Sequence, residues 1–125
     1  MALTHGTPTR TAMCDLVVDR IDLGTTNPNG RLVFQTSGSV AVATLNFSNP
    51  AFGAAAAGAA TANSITSDTN AAGGTTTKFE IRDRDNTAII LGSVGTSGSD
   101  INLSSVNVGA GDTVSVSSMT YTAAP

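Results

Sequence analysis

From Thr7 to Arg20 the apolar residues Ala12, Met13, Leu16 and Val17, followed by Ile21, recur at three- and four-residue steps. Asp15 and Asp19 fall on the other side of that spacing. This is the period of a helix with one apolar face. Thr7-Pro8 reads as an N-cap and first helical residue, because proline lacks the donor that this position leaves unpaired. Gly24 and the turn-rich stretch Thr25–Gly30 stop the pattern. The spacing predicts one amphipathic helix over 8–21, preceded by an N-terminal arm at 1–7.

Beyond Gly30 the period changes to two, the signature of half-buried strands. Arg31–Thr36 and Val40–Phe47 read as two strands joined through Ser37-Gly38-Ser39, a hairpin that Asn49-Pro50 ends. Ala51–Ala62 is almost entirely Ala and Gly; Gly53 and Gly58 cut it too short for an isolated helix. It reads as a loop leading into a tightly packed strand from Ala59 to Ile65, and Ser67–Gly74 as an exposed, mobile polar loop. Thr76–Arg82 alternates most cleanly, with Phe79 and Ile81 against Lys78, Glu80 and Arg82, and Ala88–Val94 is its antiparallel return. Ile101–Leu103, Ser105–Val108 and Thr113–Thr122 complete the set, with a turn at Gly109–Asp112. In the last strand the apolar residues switch face, from Val114 and Val116 to Met119 and Tyr121, which predicts a β-bulge near Ser117-Ser118. The expected fold is mainly β, an antiparallel sandwich or jelly roll over 31–122 with one N-terminal amphipathic α-helix, in a single domain.

Composition thins the core. The chain has 125 residues, enough for one domain, yet aromatics make up only 4% and much of the 40% hydrophobic fraction is Ala. Ala buries little area, so each contributes far less than a Leu or Phe. The large core candidates are Leu16, Val17, Ile21, Leu32, Phe34, Leu45, Phe47, Phe52, Ile65, Phe79, Ile81, Ile89, Leu91 and Val116. So short a set predicts stability that leans on an oligomeric or host surface; the plainer alternative is a modest but sufficient monomeric core. Charged residues are 12% of the chain, about half the usual quarter for soluble domains. That suits a protein whose faces are covered by neighbours.

The net charge of −3 argues against nucleic acid as a partner, because phosphate binding needs a basic stripe. Arg82 and Arg84 form the one local basic pair, and Asp83 and Asp85 neutralise it. No run approaches the ~20 apolar residues of a membrane-spanning helix, so no membrane is expected as a partner. The first residues lack the basic-then-apolar order of a signal peptide, and lone Cys14 allows no disulfide within the chain.

Candidate chemistry is sparse, and neither an enzyme nor a cofactor is expected. His5 is the one imidazole, in a terminal segment that does not hold a general base rigidly. Cys14 lies in the helical pattern beside Met13 and reads as a packed thiol, since zinc sites need several Cys or His. Asp83, Asp85 and Asn86 match the opening of a calcium loop, but the glycine and glutamate that complete such a loop are missing. Turn chemistry accounts for them, as it does for Gly109-x-Gly111. Glu80, between Lys78 and Arg82, reads as part of an outward charge row.

Taken in order, several stretches resemble a family of small structural proteins from tailed bacteriophages. They are Met1-Ala2-Leu3 before the helix, Gly30-Arg31-Leu32-Val33-Phe34, Ala43-Thr44-Leu45-Asn46-Phe47, Ala51-Phe52-Gly53-Ala54-Ala55, and Ala60 through Asp68. Gly92 through Gly98 and the closing Thr113-Val114-Ser115-Val116-Ser117-Ser118 continue the series. Each piece is of low complexity; their order over nearly the whole chain carries the match. The chain departs from the family pattern at Lys78-Phe79-Glu80, where in the family a bulkier aromatic often accompanies the Phe. The family it resembles is that of capsid decoration, or cement, proteins. The resemblance implies a sandwich or jelly-roll protein, made in the host cytoplasm, that binds the outside of the major capsid protein shell as a homodimer or homotrimer. Under that reading Leu3, Met13, Leu16 and Val17 of the arm and helix form a clamping or self-association interface, and one sheet edge faces the capsid. The alternative is a tail or fibre β-module of the virion that binds a host receptor or glycan.

Overall fold

A computed structural model describes residues 3–123; Met1 and Ala2 of the expected arm lie outside the described residues. The helix, α1, spans Thr7–Arg20. Its N-cap is Gly6, in extended backbone with no side-chain cap, so Thr7 is the first helical residue and not the cap. The apolar spacing places the buried face only in part: Ile21 and the packed thiol of Cys14 are buried as expected, and Met13 and Val17 are half-buried. Cys14, Val18 and Ile21 are the buried positions, whereas Leu16, expected in the core, is 63% exposed.

Polar residues explain this rotation. Thr11, Asp15 and Asp22 follow one another at steps of four and seven, which places them on one stripe. Each accepts a backbone N–H from the Ala/Gly-rich segment: Gly58 to Thr11 Oγ1 at 3.0 Å, Ala55 to Asp15 Oδ1 at 2.8 Å and Ala51 to Asp22 Oδ1 at 2.8 Å. A segment too irregular to pair its own amides in a long ladder satisfies three of them on the helix and its C-terminal turn. Asp15, expected to face solvent, therefore turns toward the protein. Burial pushes the Asp22 carboxyl above the ordinary aspartate value, against the downward pull of the Ala51 N–H.

The strands are β1 (Arg31–Gln35), β2 (Ala41–Phe47), β3 (Ala59–Thr61), β4 (Ile65–Thr66), β5 (Gly74–Thr75), β6 (Lys78–Arg82), β7 (Ala88–Gly95), β8 (Ile101–Asn102), β9 (Asn107–Val108) and β10 (Thr120–Thr122). Six form one sheet in the order β4-β2-β1-β6-β7-β8, antiparallel except for the parallel β7–β8 pair. Two ribbons, β3–β10 and β5–β9, lie outside it. The chain is thus mainly β with one N-terminal helix, and both expected hairpins are present as β1–β2 and β6–β7. They join through β1–β6, which sets Leu32 against Ile81 and Phe34 against Phe79.

One face of this sheet carries the core, with Leu32, Phe34, Leu45, Phe47, Phe79 and Ile81 buried. Phe52 packs on Phe47, their ring centroids 5.7 Å apart. At the β6–β7 pair Phe79 faces Gly92, and a Cβ on that glycine would meet the Phe79 ring at 2.5 Å. The glycine leaves the space that the aromatic ring fills.

Three expected elements and one core candidate differ. Ala59–Ile65 is not one strand: β3 and β4 enter different sheets, separated at 62–64. Ser67–Gly74 is not a free loop, because Ala71 is buried and Asp68 accepts from Thr44 N at 2.8 Å, extending the edge of β2. The last strand is broken and carries no bulged ladder at Ser117-Ser118. Val114 bridges to Asp68 while only Thr120–Thr122 pairs with β3. Leu91, a core candidate, is 66% exposed.

The Asp83–Thr87 turn is built by its own side chain, since Asp83 Oδ1 accepts from both Asp85 N and Thr87 N at 2.9 Å. Asp85 in turn holds the loop after the helix, accepting from Thr25 N at 2.9 Å and Thr26 N at 3.0 Å. Gly24, at φ +119°, permits the approach, for a Cβ there would meet the Asp85 carboxyl at 2.8 Å.

Three outcomes follow from these contacts. Asp15→Ala costs about 1–3 kcal/mol in denaturant unfolding, through the unmet Ala55 amide, and Asp15→Asn costs less because it keeps an acceptor. Gly92→Val costs about 1–3 kcal/mol in the same assay, by overpacking against Phe79. The two amide donors hold the Asp85 carboxyl below the usual aspartate value. Its stabilising contribution is therefore complete above the ordinary aspartate pKa of about 3.9 and disappears as pH falls through the lower folded value. The Thr25 and Thr26 amide resonances titrate with a midpoint below that of a free aspartate.

Candidate interaction surface

The four interface residues expected from the sequence separate into two exposed and two half-buried. Leu3, in the segment before the helix, is 78% exposed, and Leu16 stands out from the helix. Met13 and Val17 are half-buried, and Met13 packs against the core. On the helix surface Met13, Leu16 and Val17 are neighbours by their three- and four-residue spacing. Leu16 also shares a row with Ala12 and Arg20, both exposed. The helix is held from its opposite side: Cys14 Sγ donates to Tyr121 O at 3.6 Å and Arg10 Nη2 to Ala123 O at 3.4 Å, both in or after β10. Leu16 is thus carried on a fixed support and faces outward.

A second apolar surface lies where the sequence predicts no interface. Between the β7–β8 end of the large sheet and β10 runs an open groove of about 300 Å³, lined by Phe52, Phe79, Ile81, Ile90, Ile101 and Tyr121 among others. It continues into a more polar hollow of about 370 Å³, bordered by Asn102, Ser104 and Ser115–Ser118. Ile90, Ile101 and Tyr121 are only half-buried, so the core is open along this side. Leu91 stands at its rim. The signal was present in Ala88-Ile89-Ile90-Leu91, an uncharged apolar run, but the same run describes a strand buried on both faces.

The opposite sheet face is mixed: by register it carries buried Val33 and Gln35 and exposed Leu91 beside a charged row. Lys78, Glu80 and Arg82 are all half-exposed, and Arg82 Nε donates to Glu80 Oε1 at 3.0 Å, as the outward charge row predicts. Near it Asn27, Asn29, Arg31, Thr44, Asn46 and Asp68 border a shallow polar hollow of about 460 Å³.

The candidate reactive groups stay apart. His5 is exposed before the helix, and Cys14 is fully buried. Burial pushes the Cys14 thiol above its ordinary value and the Asp15 carboxylate adds to this, which disfavours the thiolate that nucleophilic chemistry requires. Asp83 spends its carboxylate on its own turn. Among the described residues no group of three or more His, Cys, Asp or Glu is placed to hold a metal ion, and no helix is long and apolar enough to cross a membrane. What the surface offers among the described residues is apolar contact: Leu3, Leu16, Leu23, Val40 and Leu91 stand exposed, and the core is half-open along the β7 side. Compared with known proteins, the chain matches no family model, no curated protein and no solved structure.

Proposed function

We propose that this protein is a capsid decoration protein, which docks on the outer surface of a phage major capsid shell and reinforces it as a homo-oligomer. The observation that carries the reading is Leu16, a large aliphatic side chain held outward on a helix whose other side is fastened to the body. Exposed Leu3 just upstream adds a second apolar contact to the same end of the chain. The resemblance of the ordered segments from Met1-Ala2-Leu3 to Thr113–Ser118 supports the same assignment. In this reading the two ribbons and the helix form the second layer of a jelly-roll-like sandwich over the large sheet.

Attachment by area suits the composition. Each copy offers a few aliphatic contacts and few charges, and many copies on one lattice convert a weak contact into firm attachment. Such a protein needs no reactive side chain.

The test is co-sedimentation of the purified protein with undecorated shells of the phage whose genome encodes it. The protein pellets with the shells; Leu16→Asp and deletion of 1–7 each weaken binding at least about fivefold, because a charge or a missing aliphatic removes about 1–3 kcal/mol per contact. Leu16→Asp leaves the melting curve nearly unchanged, as exposed positions do. A wild-type protein that stays in the supernatant, or a Leu16→Asp variant that pellets as well as wild type, overturns the assignment.

A further inference from the structure

We infer that the groove between the β7–β8 end of the large sheet and β10 is a carbohydrate-binding site, which takes a neutral oligosaccharide. The site belongs to the free protein and does not rest on capsid attachment.

The groove changes character along its length. At one end it is walled by Ile90, Ile101 and Tyr121, all half-buried. At the other it opens into the hollow bordered by Asn102, Ser104 and Ser115–Ser118, where hydroxyl and amide side chains are exposed. Asp100, Ile101, Met119 and Thr120 border both spaces, so the two are continuous. Apolar walls with a few placed polar groups are the usual make-up of a small-molecule site.

Polar groups along this groove are left without partners among the described residues. The Tyr121 hydroxyl has no hydrogen bond, although a tyrosine whose ring packs on the core usually finds one. Asp100 spends Oδ2 on Ser93 N at 2.9 Å and Ser93 Oγ at 3.2 Å, which leaves Oδ1 as an acceptor. Asn102 spends Oδ1 on Ser99 N at 3.0 Å, which leaves Nδ2 as a donor. These same bonds, with the β7–β8 pairing, hold both side chains in place before a ligand arrives.

A pyranose ring matches that division, because it has a face of C–H bonds and a rim of hydroxyls that both donate and accept. A purely aliphatic ligand leaves Tyr121, Asp100 and Asn102 unmet. A peptide strand finds the β7 backbone at Ser93–Gly95 already covered by Asp100 and β8. Asp100 is the one charged residue lining either space, and its carboxylate repels an acidic sugar. The ligand is therefore neutral.

The test is a titration of the free protein, followed by proton–nitrogen correlation NMR, with trisaccharides of glucose, mannose, galactose and N-acetylglucosamine and with a sialylated trisaccharide. At least one neutral sugar moves the amide resonances of Ile101, Asn102, Met119 and Tyr121 with a Kd of about 1 mM, while those of Leu16 and Asn46 stay still. The sialylated sugar binds at least about fivefold more weakly. Tyr121→Phe keeps the ring, loses the hydroxyl and weakens binding at least about threefold. Asn102→Asp keeps the acceptor for Ser99 N, loses the donor and weakens binding by at least about the same factor. The inference is overturned by no response to any neutral sugar at about 20 mM, by shifts centred elsewhere, by a sialylated sugar that binds as tightly, or by either variant binding like wild type. Shifts at the same amides on raising the protein concentration without sugar assign the groove to a second copy and also overturn it. Because no shell is present, a failed titration leaves the capsid reading standing, and failed co-sedimentation leaves this site standing.

Discussion

The constraint on which this molecule depends is the pairing of a low-complexity backbone with polar side chains of one helix. Apart from Phe52, which packs on Phe47, Ala51–Gly58 is only Ala and Gly and has little side-chain area with which to hold itself in place. Three acceptors, Thr11, Asp15 and Asp22, each take one of its amides, and this fixes which side of the helix faces inward. Cys14, Val18 and Ile21 are then buried as a consequence, and Leu16 is left outside. In most amphipathic helices apolar burial sets the rotation and polar groups adapt. Here hydrogen bonding to an adjoining loop sets it.

That inversion explains what the sequence conveyed and what it did not. Both hairpins were legible, because period-two alternation and the turn residues Ser37-Gly38-Ser39 and Asp83–Asn86 are local signals. The chemistry of the Asp83 turn was legible for the same reason. The helix was legible as an element but not in its orientation: apolar spacing favours Leu16 and Val17, and only the far-off amides of Ala55 and Gly58 reveal Asp15 and Thr11 as inward. The β1–β6 pairing that joins the hairpins, and the division of Ala59–Thr66 between two sheets, involve partners distant in sequence. A short strand carries no record of its neighbour. The broken final segment, bridged at Val114 and paired again at Thr120, looked continuous because both halves alternate.

The candidate surface was half legible. Leu3 and Leu16 are exposed as an interface requires, though Leu16 had also been counted toward the core; Met13 and Val17 are shared between core and surface. The β7 side is not legible, because an aliphatic run signals burial without naming what covers it. A thin core and a half-open groove are two views of one fact. The chain supplies too few large side chains to close its own end, and Phe79 over Gly92 shows how economically it uses those it has.

The fastening of the helix has a mechanical corollary. A pull on the segment around Leu3 passes into the helix at Thr7 and meets Thr11 first, then Asp15, then Asp22, all tied to one length of chain running alongside. Load borne by such a row is shared in shear across the rungs, whereas a helix seated only on greasy side chains could be peeled away from one end. The polar stripe therefore serves as a strain-bearing seam, and the outermost residues can be tugged without transmitting a lever arm to the sheet.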